Sequence, residues 1–149
     1  MSISASIAGQ LDAKRIEELV AIRFPQIHSG GRSFVIEAAG PRTALVRLRA
    51  DPRNTRPGGT VSGVAMFALA DFSVYVAIIG TLGEKGFDAV TASLTINFLA
   101  RPESGDLTAS VKLIRLGRRL AVGEVEIHAP GVPEMVAHAT ASYALPPLR

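Results

Sequence analysis

Hydrophobic and polar positions change period several times along this chain, and each change marks an element. Over residues 9–22, Leu11, Ile16, Leu19 and Val20 fall near helical spacing while charged side chains take the opposite side. That pattern describes a short amphipathic helix on the domain surface, which Pro25 brings to an end. Gly30-Gly31 signals a turn, and residues 33–39 and 43–50 then read as two strands joined at Gly40-Pro41. In the second strand Leu45, Arg47 and Arg49 share one face, and Val46 and Leu48 the other. Residues 51–59, Asp-Pro-Arg-Asn-Thr-Arg-Pro-Gly-Gly, have no period and many breakers, so they form a loop.

The segment 63–83 carries one charged residue, Asp71. A stretch apolar on every face is either a membrane span or the central helix of a domain, and length does not separate the two. Asp71 at its midpoint would cost about 2.5–3.5 kcal/mol in a bilayer. The rest of the chain alternates like strands and offers no second span. A helix enclosed by a sheet accounts for both facts, and no membrane association is expected.

Four strands follow, at 89–100, 107–116, 119–129 and 134–145, punctuated by Pro102, Ser104-Gly105, Gly117 and Pro130-Gly131. The punctuation predicts hairpins and an antiparallel meander. Leu94, Ile96 and Phe98 share one face of the first, with Ser93, Thr95 and Asn97 on the other. Helix, two strands, long helix, four strands is an α+β order, with six antiparallel strands curled round a buried helix. One domain spans 1–149, with 1–28 as an N-terminal helical segment.

Composition narrows the chemistry. Hydrophobic residues make up 48% and charged residues 19%, which excludes a disordered chain. There is no cysteine, so disulfides, thiolate metal sites and a cysteine nucleophile are excluded. The three histidines, His28, His128 and His138, have no ligand spacing, and no metal site is expected. The net charge of +3 suits a phosphate-bearing ligand, but no basic run exceeds two residues and aromatics are 5%, too few for base stacking. No nucleic-acid partner is expected. The N-terminal residues lack a charged region followed by an apolar one, so a cytoplasmic location is expected.

Certain strings in order carry more. They are Ser62-Gly63-Val64, Leu69-Ala70-Asp71, the run from Val90-Thr91 through Leu94-Thr95-Ile96-Asn97-Phe98-Leu99 to Pro102, then Gly105, and Gly117-Arg118-Arg119-Leu120-Ala121-Val122. Over residues 33–145 they resemble the hotdog-fold acyl-CoA thioesterases of the phenylacetate-pathway (PaaI-like) type. The resemblance implies a hotdog fold, a six-stranded curled antiparallel sheet wrapped round a long central helix. It also implies a homodimer or homotetramer with each site at a subunit boundary. Two positions depart from the family pattern: Ser62 stands where the family has His, and Val64 where it has a second Gly. The family's loop Asn is also missing, with Arg56 in its place and Asn54 displaced by two residues.

Thioester hydrolysis needs a group to activate or replace water, and donors to hold the developing oxyanion. A carboxylate in an apolar helix is desolvated, which strengthens it as a base. The resemblance gives Asp71 the role of general base or nucleophile. The bland alternative is a carboxylate bonded to a loop or a partner subunit. Gly63 opens the helix where backbone N–H groups lack partners, and the resemblance makes it the oxyanion donor. It would otherwise only permit a tight helix start. Ser62 is read chiefly as the helix N-cap, with a hydrogen bond to the thioester as the alternative.

The string around Ser62 is Gly-x-x-Ser-Gly, not a nucleophile elbow. Tyr75, four residues after Asp71, shares its helix face and is read as core with a satisfied hydroxyl or as substrate-binding. Arg101, Arg118 and Arg119 are candidates for the phosphates of CoA, with solvated strand ends as the alternative. Asn54, Arg56 and Asn97 complete the substrate-binding candidates. No cofactor is expected, since CoA belongs to the substrate. A hotdog protein that binds acyl-CoA without hydrolysing it is the second function, and a hydratase or dehydratase, which needs a histidine near the acid, the third.

Overall fold

The computed structural model describes residues 10–29, 33–56, 59–103 and 105–147. The turn expected at Gly30-Gly31, the first residue of the N-terminal helix, part of the 51–59 loop and Ser104 lie outside them.

The N-terminal helix, α1 (Ala13–Arg23), begins later than its periodicity suggests because Asp12 caps it, accepting from Arg15 N–H at 2.9 Å. Ile16, Leu19 and Val20 are its buried residues. Two strands follow as a hairpin, β1 (Phe34–Gly40) and β2 (Thr43–Leu48), and then the long helix α2 (Gly63–Leu82). Twelve of its residues are buried, on nearly all sides, as its unbroken apolar composition requires. Although Gly63–Asp88 has the length and hydropathy of a membrane span, most of it is buried inside the folded chain. Gly83, at φ +82°, closes α2 in a conformation that side-chain-bearing residues avoid.

The last four strands are β3 (Val90–Phe98), β4 (Leu107–Leu116), β5 (Leu120–His128) and β6 (Ala137–Ala144). All pairings are antiparallel, in the order β1-β2-β4-β5-β6-β3. The four-strand meander expected from turn signals is therefore corrected. Only β4, β5 and β6 run consecutively, while β3 pairs with β6 at the far edge and β4 pairs with β2. Turn residues mark where a strand ends, not which neighbour it takes.

Alternate residues of β2, β4, β5 and β6 face α2, among them Val46, Val111, Val125 and Ala139. A Cβ at Gly123 would lie 3.0 Å from Val74, so the glycine lets α2 lie directly on the middle of the sheet. The sheet's two edges differ. At β1, Glu17 of α1 accepts Ile36 N–H at 2.9 Å, covering that edge. At β3, the chain places nothing over the edge among the described residues, and Val90 is 61% and Phe98 51% exposed.

Candidate active site

Asp71 lies midway along α2, partly buried, and two hydroxyls from the β3–β6 edge converge on it. Tyr143 donates to its Oδ1 at 2.6 Å and Thr91 at 2.8 Å. The Tyr143 hydroxyl also lies 2.9 Å from the backbone carbonyl of Asp71. Among the described residues Oδ2 has no hydrogen-bond partner, so one carboxylate oxygen is held and the other is unpaired. Burial, and then the neighbouring Asp71 carboxylate, push the Tyr143 phenol well above its ordinary range. It therefore remains a donor.

Strand pairing produces this convergence. Thr91 and Tyr143 are direct partners across β3 and β6, and the register shifts between Thr91 and Ser93, leaving Ala92 as an extra residue. Leu94 and Ile96 face inward, so strict alternation would turn Thr91 outward. The bulge reverses the parity and returns Thr91 to the helix side.

A cleft of about 540 Å³ opens beside Asp71, walled by Phe24, Phe72, Tyr75 and Phe87, with Val90, Thr91 and Tyr143 on the strand side. This size and apolar lining suit a small organic group. The Tyr75 hydroxyl donates to Phe87 O at 2.7 Å, which satisfies it as expected of a core tyrosine, while its ring still lines the cleft. Burial pushes the Tyr75 phenol up as well. Arg23 stands over the Phe87 ring at 4.5 Å, closing the far side.

The helix start forms a second, separate region. Ser62 Oγ accepts Ala65 N–H at 3.1 Å, the N-cap expected of it. Ser62 O accepts Met66 N–H. The amides of Gly63 and Val64 come before any intrahelical acceptor is available. A cleft of about 470 Å³ here gathers Arg56, Gly63, Phe98 and Arg101. A Cβ on Gly63 would come within 3.2 Å of Phe98 Cζ.

The structure thus distributes the sequence-derived residues over several places. Asp71 and Tyr75 share one cleft with Thr91 and Tyr143. Gly63, Arg56 and Arg101 share another. Arg118 lines a third hollow at the opposite end of α2 with Lys85, Leu116 and Leu145, and exposed Arg119 follows it in the β4–β5 turn. Asn97 is exposed on β3, opposite His138. Asn54 lies in a short turn of the 51–59 loop, its side-chain nitrogen buried with no hydrogen-bond partner among the described residues and its backbone carbonyl accepting Ser62 N–H. His138 and His128 pair with Glu124 and Glu126, at 3.0 and 3.2 Å. Among the described residues no group of three or more His, Asp or Glu is placed to hold a metal ion.

Sequence reasoning missed Thr91 and Tyr143 as site residues. A signal was present for the second. The inward positions of β6 are Ala137, Ala139, Ala141 and Tyr143, so one large polar aromatic ends a row of alanines beneath the helix.

A curled antiparallel sheet round one long helix, with an acid at mid-helix and free amides at the helix start, defines a hotdog protein. The thioesterase superfamily model matches residues 58–136, and the chain belongs to that family. A solved structure from Silicibacter sp. TM1040, assigned as a thioesterase by inference, is 37% identical and superposes with a TM-score of 0.80, covering 97% of this chain and 100% of that one. A point mutant of the phenylacetic acid degradation protein PaaI from Thermus thermophilus shares the fold at 22% identity. Its TM-score is 0.68, over 82% of this chain and 99% of that one. A curated Saccharolobus solfataricus protein, named an esterase by inference, is 36% identical over 74 residues, 50% of this chain. The match spans 48% of that relative's length.

Proposed function

We propose that this chain hydrolyses acyl-CoA thioesters as a homo-oligomer, a dimer or a tetramer of paired dimers, in the cytoplasm. The observation that carries the reading is the Asp71 carboxylate, which lines an apolar cleft and is pinned at Oδ1 by Tyr143 and Thr91, leaving Oδ2 without a partner among the described residues. A pinned carboxylate with one free oxygen suits a general base or a nucleophile. As a base, Oδ2 takes a proton from water while the hydroxide oxygen attacks the thioester carbon. The oxyanion is held by the Gly63 amide, and collapse expels the CoA thiolate.

One chain does not complete such a site. Eight residues separate Gly63 from Asp71, about 12 Å of helix rise, too far for one carbonyl to meet both. A second copy supplies the missing half. The open β3 edge supports this reading, as does the exposed stripe of Val64, Phe67 and Ala68 that continues along α2 to Asp71. In the dimer the acyl group takes the aromatic cleft, and Arg101, Arg118 and Arg119 are the candidates for CoA phosphates.

Incubation of the purified protein with a panel of acyl-CoAs and a thiol reagent tests the reading. Release of free CoA that scales with protein supports it, and tight acyl-CoA binding with no CoA release sinks it. That second outcome is the non-hydrolytic alternative. It is favoured by Ser62 and Val64, which stand where the resembled family has its His and second Gly.

A further inference from the structure

Tyr143 is a buried β6 residue, 3% exposed, whose hydroxyl could have been met by any carbonyl of the helix it packs against. Instead the shorter of its two contacts goes to Oδ1 of Asp71, at 2.6 Å against 2.9 Å to the backbone. A short bond from a neutral hydroxyl to a carboxylate is charge-assisted and stronger than one to a carbonyl. We infer that Tyr143 is a positioning residue for the reaction, fixing the rotamer of Asp71 so that Oδ2 alone is presented to the cleft.

The inference rests on the thioesterase reading and adds to it a residue 72 positions from the acid it serves. Three observations carry it. Both donors, Tyr143 and Thr91, end on the same oxygen, which leaves the other one unencumbered. They are cross-strand partners, and the bulge at Ala92 is what brings Thr91 to the same side as Tyr143. The Tyr143 ring is itself held, stacked near Tyr75 with centroids 6.2 Å apart and planes 18° apart, so the hydroxyl has little freedom to leave. A phenol kept protonated by burial and by the adjacent carboxylate donates throughout the ordinary pH range.

Tyr143→Phe keeps the ring and removes the donor. In acyl-CoA hydrolysis, kcat should fall by roughly 10- to 100-fold, the rate equivalent of one charge-assisted hydrogen bond. KM should change by less than about threefold, because substrate binding does not use this hydroxyl.

Asp71→Asn and the double variant, measured alongside, separate the two levels. If Tyr143 acts through Asp71, then Tyr143→Phe costs nothing further in the Asp71→Asn background. An equal loss in both backgrounds, or a Tyr143→Phe enzyme with wild-type kcat and KM beside an inactive Asp71→Asn, overturns the positioning role and leaves the thioesterase reading standing. Full activity in Asp71→Asn overturns the positioning role together with the catalytic assignment of Asp71, whereas no CoA release from the wild type overturns the thioesterase reading itself. The chain has only two tyrosines, so ring-labelled tyrosine NMR adds a readout that needs no activity and no Tyr143 variant. Asp71→Asn should displace the Tyr143 signal and spare that of Tyr75, and an unmoved Tyr143 signal also overturns the inference.

Discussion

Gly63 and Asp71 stand eight residues apart on one helix, which places the free amides at its start about 12 Å from the carboxylate at its middle. Each lines a different cleft, one beside Phe98 and Arg101, the other beside Tyr75 and Tyr143. A site that uses both must take them from two copies of the chain. Under the proposed function, chemistry and assembly are therefore tied together.

Assembly is tested at β3. Thr95 is exposed near the middle of this edge strand. Thr95→Lys puts a charge on the open edge and, in a paired edge, sets like charges near one another. Light scattering at micromolar concentration should show the wild type as a dimer or larger and the variant shifted toward monomer. The variant's specific activity should fall with dilution. A wild type that is a stable monomer removes both the assembly and the shared site.

Asp71→Asn preserves shape and can still accept from Tyr143 and Thr91 but has no basicity. It should fold and assemble normally, and its hydrolysis rate should fall by roughly 10²–10⁴, the usual worth of a positioned acid–base group. Binding of a non-hydrolysable acyl-CoA analogue should change little. Steady-state rates at wild-type level would show Asp71 to be a structural carboxylate.

Ser62→Ala and Gly63→Ala should behave in opposite ways. The first removes the acceptor of Ala65 N–H and should cost about 0.5–2 kcal/mol of stability while leaving much of the activity. The second adds a methyl that meets the Phe98 ring at 3.2 Å, at the point where a carbonyl would approach the helix start. Helix propensity favours alanine by up to about 1 kcal/mol, so the melting temperature should hold while kcat/KM falls more than tenfold. Melting curves and rates on the same two preparations decide this. The reverse order for Ser62→Ala would assign the hydroxyl to the thioester.

Alkaline stability reports on Tyr143. Its phenol titrates above the ordinary value of 10.0 in the folded chain, so above that pH the unfolded chain loses a proton that the folded one keeps. The contribution to stability is complete below pH 10.0 and is lost as pH rises beyond it. Melting temperatures recorded from about pH 8 to about pH 11 should therefore drop above about 10, and less steeply in Tyr143→Phe. Some slope should remain from Tyr75, which burial shifts in the same direction. Parallel slopes in the two proteins would mean that the Tyr143 phenol is not held up in the fold.

Local pattern was enough for the elements and for one half of the chemistry. The 63–83 run specified α2, because a segment apolar on every face must be enclosed. Ser62 before it specified the cap, and Asp71 was conspicuous as the one charge inside that run. Alternation located the strands to within a few residues, and the Gly117 hairpin joined β4 to β5. Period and turn chemistry act over a few residues, so a single chain read in order displays them.

Strand order and the environment of Asp71 were decided elsewhere. β3 departs from its sequence neighbour β4 to pair with β6, because pairing is settled by which surfaces can be buried together round the helix. Thr91, on the outward face by simple alternation, points inward because one extra residue at Ala92 reverses the parity of the strand. Tyr143 reaches an acid 72 residues earlier only through that pairing. By itself the sequence determined a sheet-wrapped helix with an acid at its centre. Which hydroxyls hold that acid, and which of its oxygens is free, depended on register and bulge, contacts between distant segments that exist only once the chain has closed on itself.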